Sequence, residues 1–379
     1  MEPLLRVSHL TLDYETKGGR VRALRDVSFT MHEGRVLGIV GETGCGKSTL
    51  GHAIARLVPE PPARVHAGRI EFRGNDLLKL PKWKMPAIRG TGIGMIFQEP
   101  INSLNPAYRI YDQVAEAVRI RRLREAGKNP TATFGQEGFD YSRPRMPTTS
   151  EILSKPLRPS LGRRGVASLV SSKELRKEVL DFLRLVRIND PETILDLYPH
   201  ELSGGMRQRI MIAIALSGRP SLLIADEPTS ALDVTIQAQV LTLMKELMDE
   251  VRTSILFISH DLAVIAEMTD DVGVMYAGRI VEFGPVAEVF ESPRHPYTKA
   301  LLRSIPNRRK AEGALPSLPG SVPNLLRLPT GCVFHPRCPL VREACKEPPG
   351  PELVMGTDTG SVGGHLAACY FSNEVKALP

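Results

Sequence analysis

RVLGIVGETGCGKSTLGHAIARL, residues 35–57, changes pattern twice within one short stretch. Val36 to Val40 is an apolar run suited to a buried strand, glycines follow at 41, 44 and 46, and from about Lys47 apolar residues recur at helical spacing. Gly41 to Ser48, GETGCGKS, fits the P-loop pattern of glycine, four residues and Gly-Lys-Ser/Thr. In a strand–loop–helix context, Gly41, Gly44 and Gly46 let backbone N–H groups turn inward on phosphate oxygens at a helix N-terminus. Lys47 reaches the β- and γ-phosphates, and Ser48 can hold Mg²⁺. Cys45 occupies a variable position of the pattern and reads as a small loop side chain, neither ligand nor nucleophile.

Working outward, SLLIADEPTSALD (221–233) is a second apolar strand that ends in adjacent carboxylates. Asp226 is placed to join the Mg²⁺ shell and Glu227 to polarise an attacking water; standing alone, the pair would read as an acidic turn. SILFISHD, from Ser254, delivers His260 just past a third strand, where ligands sit on open α/β sheets. HELSGGMRQRIMIAIAL (200–216) sets Ser203, Gly204 and Gly205 before a helix, a second N-terminus able to face an anion. VTIQAQVLTLMKELMDEV (234–251) carries Val240, Leu243, Met244, Leu247 and Val251 at helical spacing, which predicts a long core-facing helix.

With Gln98 in GMIFQEP, the sequence resembles the ATP-binding-cassette ATPases: P-loop, glutamine loop, LSGG signature, strand with Asp-Glu, the SALD loop and the switch histidine occur in order. The resemblance implies an ATPase. Lys47, Ser48 and Thr49 would hold phosphate and Mg²⁺, with Asp226 and Gln98 at the metal. Gln98 would also sense the γ-phosphate, Glu227 would act as the base, and His260 would contact the γ-phosphate. It also implies a head-to-tail sandwich of two cassettes, with Ser203 and Gly205 on nucleotide held by the partner and Asp233 at the seam. Tyr14, in LTLDYETKGG, is the candidate to stack on adenine; an ordinary strand-end tyrosine fits as well.

GMIFQEPINSLNPAYRI, ELSGGMRQR, ESPRHPYTKALLRSIP and the tail segment GCVFHPRCP are similar to the dipeptide, oligopeptide and nickel permease branch. That branch implies an importer motor. It would sit peripherally on the cytoplasmic face of the membrane, beneath two permease subunits, with a homologous second ATPase and, indirectly, an extracytoplasmic solute-binding protein. Di- or oligopeptides are the expected solute, with oligosaccharide or nickel as alternatives. A soluble cassette ATPase acting on nucleic acid or ribosomes is the other class. One motif set and no sustained heptad argue against it, and nucleic acid is not an expected partner.

The fold expectation is α/β. Residues 1–290 would form an ABC-type P-loop ATPase with an N-terminal antiparallel β portion and an inserted helical subdomain at about 98–202. A Pro-rich, Cys-containing module would follow at 291–379. Composition agrees: 379 residues with 42% hydrophobic content support a sizeable core. No run approaches the roughly 18 apolar residues of a membrane span, and MEPLLRVSHL lacks the features of a secretory signal, which predicts a cytoplasmic chain. The net charge of +7 is localised: Arg119 to Lys177 holds fourteen Lys or Arg against five Asp or Glu. The core of that stretch, about 123–172, is a basic insert that the resembled family keeps short. It could meet anionic headgroups or an acidic partner, or be a solvated loop.

Three of five cysteines crowd into GCVFHPRCPLVREAC (331–345), and Cys369 follows. Thiols gathered so late in such a chain point to metal binding or redox chemistry rather than a disulfide framework. Cys332, Cys338, Cys345 and Cys369 lack the close pairs of structural zinc, although His335 and His365 keep a mixed Cys/His zinc site open. Four such thiolates suit a four-iron, four-sulfur cluster, which the resemblance also implies for some members. Its expected role is to staple a Pro-rich tail.

Overall fold

The computed structural model describes residues 3–98, 103–127, 171–230, 232–251, 253–304, 320–355 and 364–378. The chain divides into two compact units. One comprises Met1–Met85, Ile93–Glu99 and Pro220–Pro379, and the other Pro86–Gly92 and Pro100–Arg219. Most of the basic insert, residues 128–170, lies outside the described residues.

The first unit contains two sheets. β1 (Leu5–Thr16) and β2 (Gly19–Met31) form an antiparallel hairpin. β3 (Val36–Val40) leaves for the other sheet, while β4 (Ala63–Phe72) returns antiparallel to β1 and is followed by the short β5 (Asn75–Asp76). This four-stranded sheet, in order β2-β1-β4-β5, is the antiparallel β portion expected near the N-terminus.

The larger sheet adds β6 (Ile93–Ile96), β7 (Leu222–Asp226), β8 (Ser254–Ser259), β9 (Asp271–Tyr276), β10 (Arg279–Pro285), β11 (Val354–Met355) and β12 (Leu366–Ala367). Its order is β11-β12-β10-β9-β3-β8-β7-β6, and β9, β3, β8, β7 and β6 run parallel. Every residue of β3, β7 and β8 is buried, as expected where a parallel sheet is covered on both faces. The helix Val234–Val251 buries Val240, Leu243, Met244 and Leu247, the stripe legible in the sequence. Because β3, β8, β7 and β6 are parallel neighbours, their carboxyl ends share one edge of the sheet, the edge where open α/β sheets bind ligands.

The tail extends this sheet at its β10 edge. β12 pairs antiparallel with β10, and Glu282 of β10, fully buried, accepts the backbone N–H groups of Arg294 (2.6 Å) and His295 (3.0 Å). It also meets His365 Nε2 at 2.6 Å. Tyr276, Tyr297, His295 and Phe334 form an aromatic cluster with ring centroids 4.6–5.6 Å apart. Burial holds His295 down to about 3, so this ring stays neutral.

In the second unit, helices Ile110–Glu125, Ser172–Leu185 and Gly204–Ser217 pack on one another. Ser171 opens the middle helix with a reciprocal capping box to Glu174, and Leu175, Val179, Phe182 and Leu183 fill its inner face. Arg121, 4% exposed, is ion-paired with Glu125 and Glu178.

Candidate nucleotide site

The loop after β3 has the geometry to take an anion. Gly46 is the N-cap of helix Lys47–Ile54 and sits at φ 106°, where a Cβ would lie 2.4 Å from the Ala23 carbonyl oxygen. Only glycine fits there. As a cap it offers no side-chain acceptor, so the first-turn N–H groups remain available to an anion. Gly44, also left-handed at φ 81°, faces open space: a Cβ there would meet nothing within 4 Å. The loop is therefore closed behind and open in front. Lys47, 4% exposed, donates from Nζ to the carbonyl oxygens of Gly41 (2.8 Å) and Glu42 (3.2 Å), which fixes its ammonium inside the curve. Thr49 follows on the helix, half-buried.

Ser48 Oγ donates to Asp226 Oδ1 at 3.0 Å, bringing the P-loop hydroxyl to the end of β7. A hydroxyl and a carboxylate are the hard oxygen donors that suit Mg²⁺, so this pair fits the ion. Asp226 is 2% exposed, and burial pushes its carboxyl above the usual range; the Ser48 hydrogen bond acts in the opposite direction. The folded chain therefore binds this proton more tightly than the unfolded chain does, so Asp226 costs stability at neutral pH and ceases to do so on acidification. Asp226→Asn is therefore expected to raise stability at pH 7 without Mg²⁺, since the amide keeps the shape and an acceptor for Ser48 without the buried charge. Urea unfolding at pH 7 and under acid should show that gain shrinking as the wild-type carboxyl protonates. The same variant should lose the Mg²⁺ dependence of nucleotide binding.

Next to Asp226, Glu227 adopts φ 45°, a left-handed conformation unusual for a side chain of this size, and its N–H donates to the Ile258 carbonyl oxygen (2.9 Å). That turn re-aims the carboxylate. Glu227 Oε2 accepts from Gln98 Nε2 at 3.1 Å and lies 3.3 Å from His260 Nδ1. The ends of β6, β7 and β8 thus converge on one carboxylate, 11% exposed, beside a histidine that is 54% exposed. Gly41 to Thr49, Gln98, Asp226, Glu227 and His260 are brought to the same edge of the sheet.

Other candidates stand elsewhere. Tyr14 is half-buried on β1, paired in register with Val21 and Ala63. Ser203, in the second unit, caps helix Gly204–Ser217 by accepting the Met206 N–H at 3.3 Å, and Gly204 and Gly205 begin that helix. Asp233 caps the long helix Val234–Val251, its Oδ1 accepting from Thr235 (3.1 Å) and Ile236 (3.0 Å). This second, structural duty of Asp233 is visible in the sequence only as an acid preceding a helical run.

Comparison with known proteins decides the family. Residues 24–230 match the family described as ABC transporter, and residues 281–345 match the oligopeptide/dipeptide transporter C-terminal region. The chain belongs to the ABC transporter family. A Sinorhizobium fredii protein named "Probable peptide ABC transporter ATP-binding protein" is 43% identical over 376 residues, 99% of this chain and 97% of that protein. The dipeptide transport ATP-binding protein DppD of Bacillus subtilis is 42% identical over 374 residues, 99% of this chain and 96% of that protein. Among solved structures, a dimeric ATP-binding cassette in a post-hydrolysis state with ADP and phosphate superposes with a TM-score of 0.55. At 22% identity, over 74% of this chain and 98% of that one, it shows the fold alone. This chain is an ABC ATPase.

The cassette's tail overturns one expectation. No four-iron, four-sulfur cluster is supported on Cys332, Cys338, Cys345 and Cys369. Among the described residues, no group of three or more His, Cys, Asp or Glu side chains is arranged to hold a metal ion. The four thiols do line one space, with Phe334 and Leu340, but it measures about 10 Å³, no more than a water molecule's worth. Burial pushes the Cys338 thiol up to about 11 and the Cys369 thiol up to about 12, so in the metal-free chain both are neutral. The mixed Cys/His zinc site fails on the same finding. His365 is committed to Glu282, and the His335 ring bonds the Cys332 carbonyl oxygen at 2.9 Å. The tail is held by Glu282 and the aromatic cluster, so the staple that its composition called for is polar and aromatic.

Proposed function

We propose that this cassette hydrolyses ATP to power import of di- or oligopeptides through separate permease subunits, as one of two cassettes in a head-to-tail pair. The observation that carries the motor reading is Glu227 held between Gln98 and His260, one residue beyond the Asp226–Ser48 pair. In this reading, Lys47 and the loop N–H groups hold the β- and γ-phosphates while Ser48, Asp226 and Gln98 face the metal. When bound, Mg²⁺ supplies charge neutralisation at the phosphate oxygens. Glu227 accepts a proton from the attacking water, and His260 steadies the γ-phosphate. Ser203 and Gly205 complete the partner's site, Asp233 lies at the seam, and Tyr14 stacks on adenine. Residues 1–290 form the nucleotide-binding domain, with the helical insertion at about 98–202, and 291–379 the C-terminal module. The assembly is peripheral on the cytoplasmic face of the membrane, its second ATPase a homologous chain, and an extracytoplasmic binding protein delivers the solute.

Peptide as the solute is supported by the matched C-terminal region and by the names of the relatives. Among the described residues, no helix is long and apolar enough to cross a membrane. The test is reconstitution with the permeases, partner cassette and binding protein in liposomes. Turnover should rise at least about tenfold over the isolated chain, because the signature helix acts on another cassette's nucleotide, and peptide should stimulate it further. Stimulation by an oligosaccharide or by nickel instead would reassign the solute and keep the motor. Full turnover by the isolated chain at any dilution would overturn the paired site.

A further inference from the structure

The P-loop pattern leaves its second position free, yet here that residue, Glu42, is gripped from two directions by the far end of the chain. Its backbone N–H donates to the Tyr297 hydroxyl at 2.9 Å. Its carboxylate takes both arms of the Arg337 guanidinium, Nη1 to Oε2 at 2.8 Å and Nη2 to Oε1 at 3.1 Å. This is the fork-on-fork geometry that makes arginine–carboxylate pairs strong and directional. The Arg337 side chain is 5% exposed while Glu42 remains 28% exposed, and the guanidinium is backed by Tyr276, whose hydroxyl lies 3.4 Å from Nη1. Tyr276 and Tyr297 belong to the aromatic cluster that Phe334 completes. Glu42 in turn offers its carbonyl oxygen to Lys47 Nζ. A continuous path of hydrogen bonds thus runs from the tail, through Glu42, to the ammonium that must meet phosphate.

We propose that Arg337 is a positioning residue for the nucleotide: acting through Glu42, it fixes the P-loop and the Lys47 ammonium in the geometry that binds MgATP. The proposal rests on the ATPase reading and adds to it a role for the C-terminal segment. Arg337 grips the Glu42 carboxylate and not the reacting atoms, so it acts on binding of ADP and ATP alike. Glu42 is part of the loop itself. Its own replacement therefore has to be read against that of Arg337 in a double-mutant cycle.

The experiment measures equilibrium binding of MgATP and MgADP, with stoichiometry, by titration calorimetry on the full chain. Wild type, Arg337→Ala, Arg337→Lys, Glu42→Gln and the Arg337→Ala/Glu42→Gln double variant are compared. Arg337→Ala should weaken both nucleotides about tenfold, with the fraction of binding-competent protein unchanged. Arg337→Lys, which keeps the charge but not the fork, should recover part of that loss, and the double variant should be no weaker than the worse single variant. A merely structural Arg337 would instead lower the competent fraction at constant Kd, and that result overturns the proposal. So do Kd values within about twofold of wild type, or fully additive losses. If Arg337→Ala does not fold, Arg337→Lys and Glu42→Gln carry the test, and wild-type Kd in both overturns it. Wild-type protein that binds no MgATP overturns the ATPase reading itself, a result separate from any difference among variants.

Discussion

Glutamine in place of Glu227 is expected to leave MgATP bound while turnover of the assembled transporter falls by at least about a hundredfold, the lower end of what a general base contributes. The groups proposed to hold phosphate and metal, Lys47, Ser48 and Asp226, do not depend on the Glu227 carboxylate for their contacts. Glutamine can still accept from Gln98 and keep the left-handed turn, so the strand end should stay in place while its ability to take a proton is lost. His260 lies 3.3 Å from the same carboxylate oxygen, yet it is half exposed and belongs to a different strand end, so it does not substitute for the missing base. Single-turnover measurement with radiolabelled ATP distinguishes the outcomes. Retained nucleotide with a slow chemical step supports the base, and wild-type turnover would move that role to another group.

Part of the candidate site was legible in the sequence because Gly41, Gln98, Asp226, Glu227 and His260 stand at or just past strand ends, and strand ends are marked by a switch from apolar to polar residues. VLGIV before Gly41, LLIAD before Glu227 and SILFIS before His260 are short apolar runs that a parallel sheet buries on both faces, and all three are strands. Sequence spacing could not reveal what holds the tail. Glu282 and His365 are 83 residues apart, and Glu42 and Arg337 are 295 apart; such pairs are made by the antiparallel return of β12 on β10 and by the aromatic cluster. The cysteines misled for a related reason. Their crowding in sequence does bring them to one small space, but its volume of about 10 Å³ depends on packing against residues such as His295 and Phe371, which no spacing rule reports. Asp233 and Ser203 carry a further lesson: each caps a helix within its own chain, whatever it does across a dimer seam.

Replacing Lys47 by alanine should have the opposite signature to the glutamate variant, abolishing binding rather than chemistry. The ammonium is 4% exposed and aimed into the loop by two carbonyl oxygens, so its position is set before phosphate arrives and little side-chain entropy remains to be lost. A charge-assisted contact to each of two phosphates, at about 1.5 kcal/mol or more apiece, amounts to at least a hundredfold in affinity. Arginine should not rescue it. A planar guanidinium needs a forked partner and more room than a loop closed behind by the Ala23 carbonyl and by Met275, whose carbonyl oxygen would lie 2.1 Å from a Cβ at Gly41. Thermal unfolding separates the two variants without any activity assay. Ligand that binds only the folded state raises Tm, so MgATP should raise Tm for wild type and Glu227→Gln but leave Lys47→Ala unmoved. A Tm increase of wild-type size in Lys47→Ala would show that the loop N–H groups alone carry the phosphate, and that the buried ammonium serves the loop's fold instead.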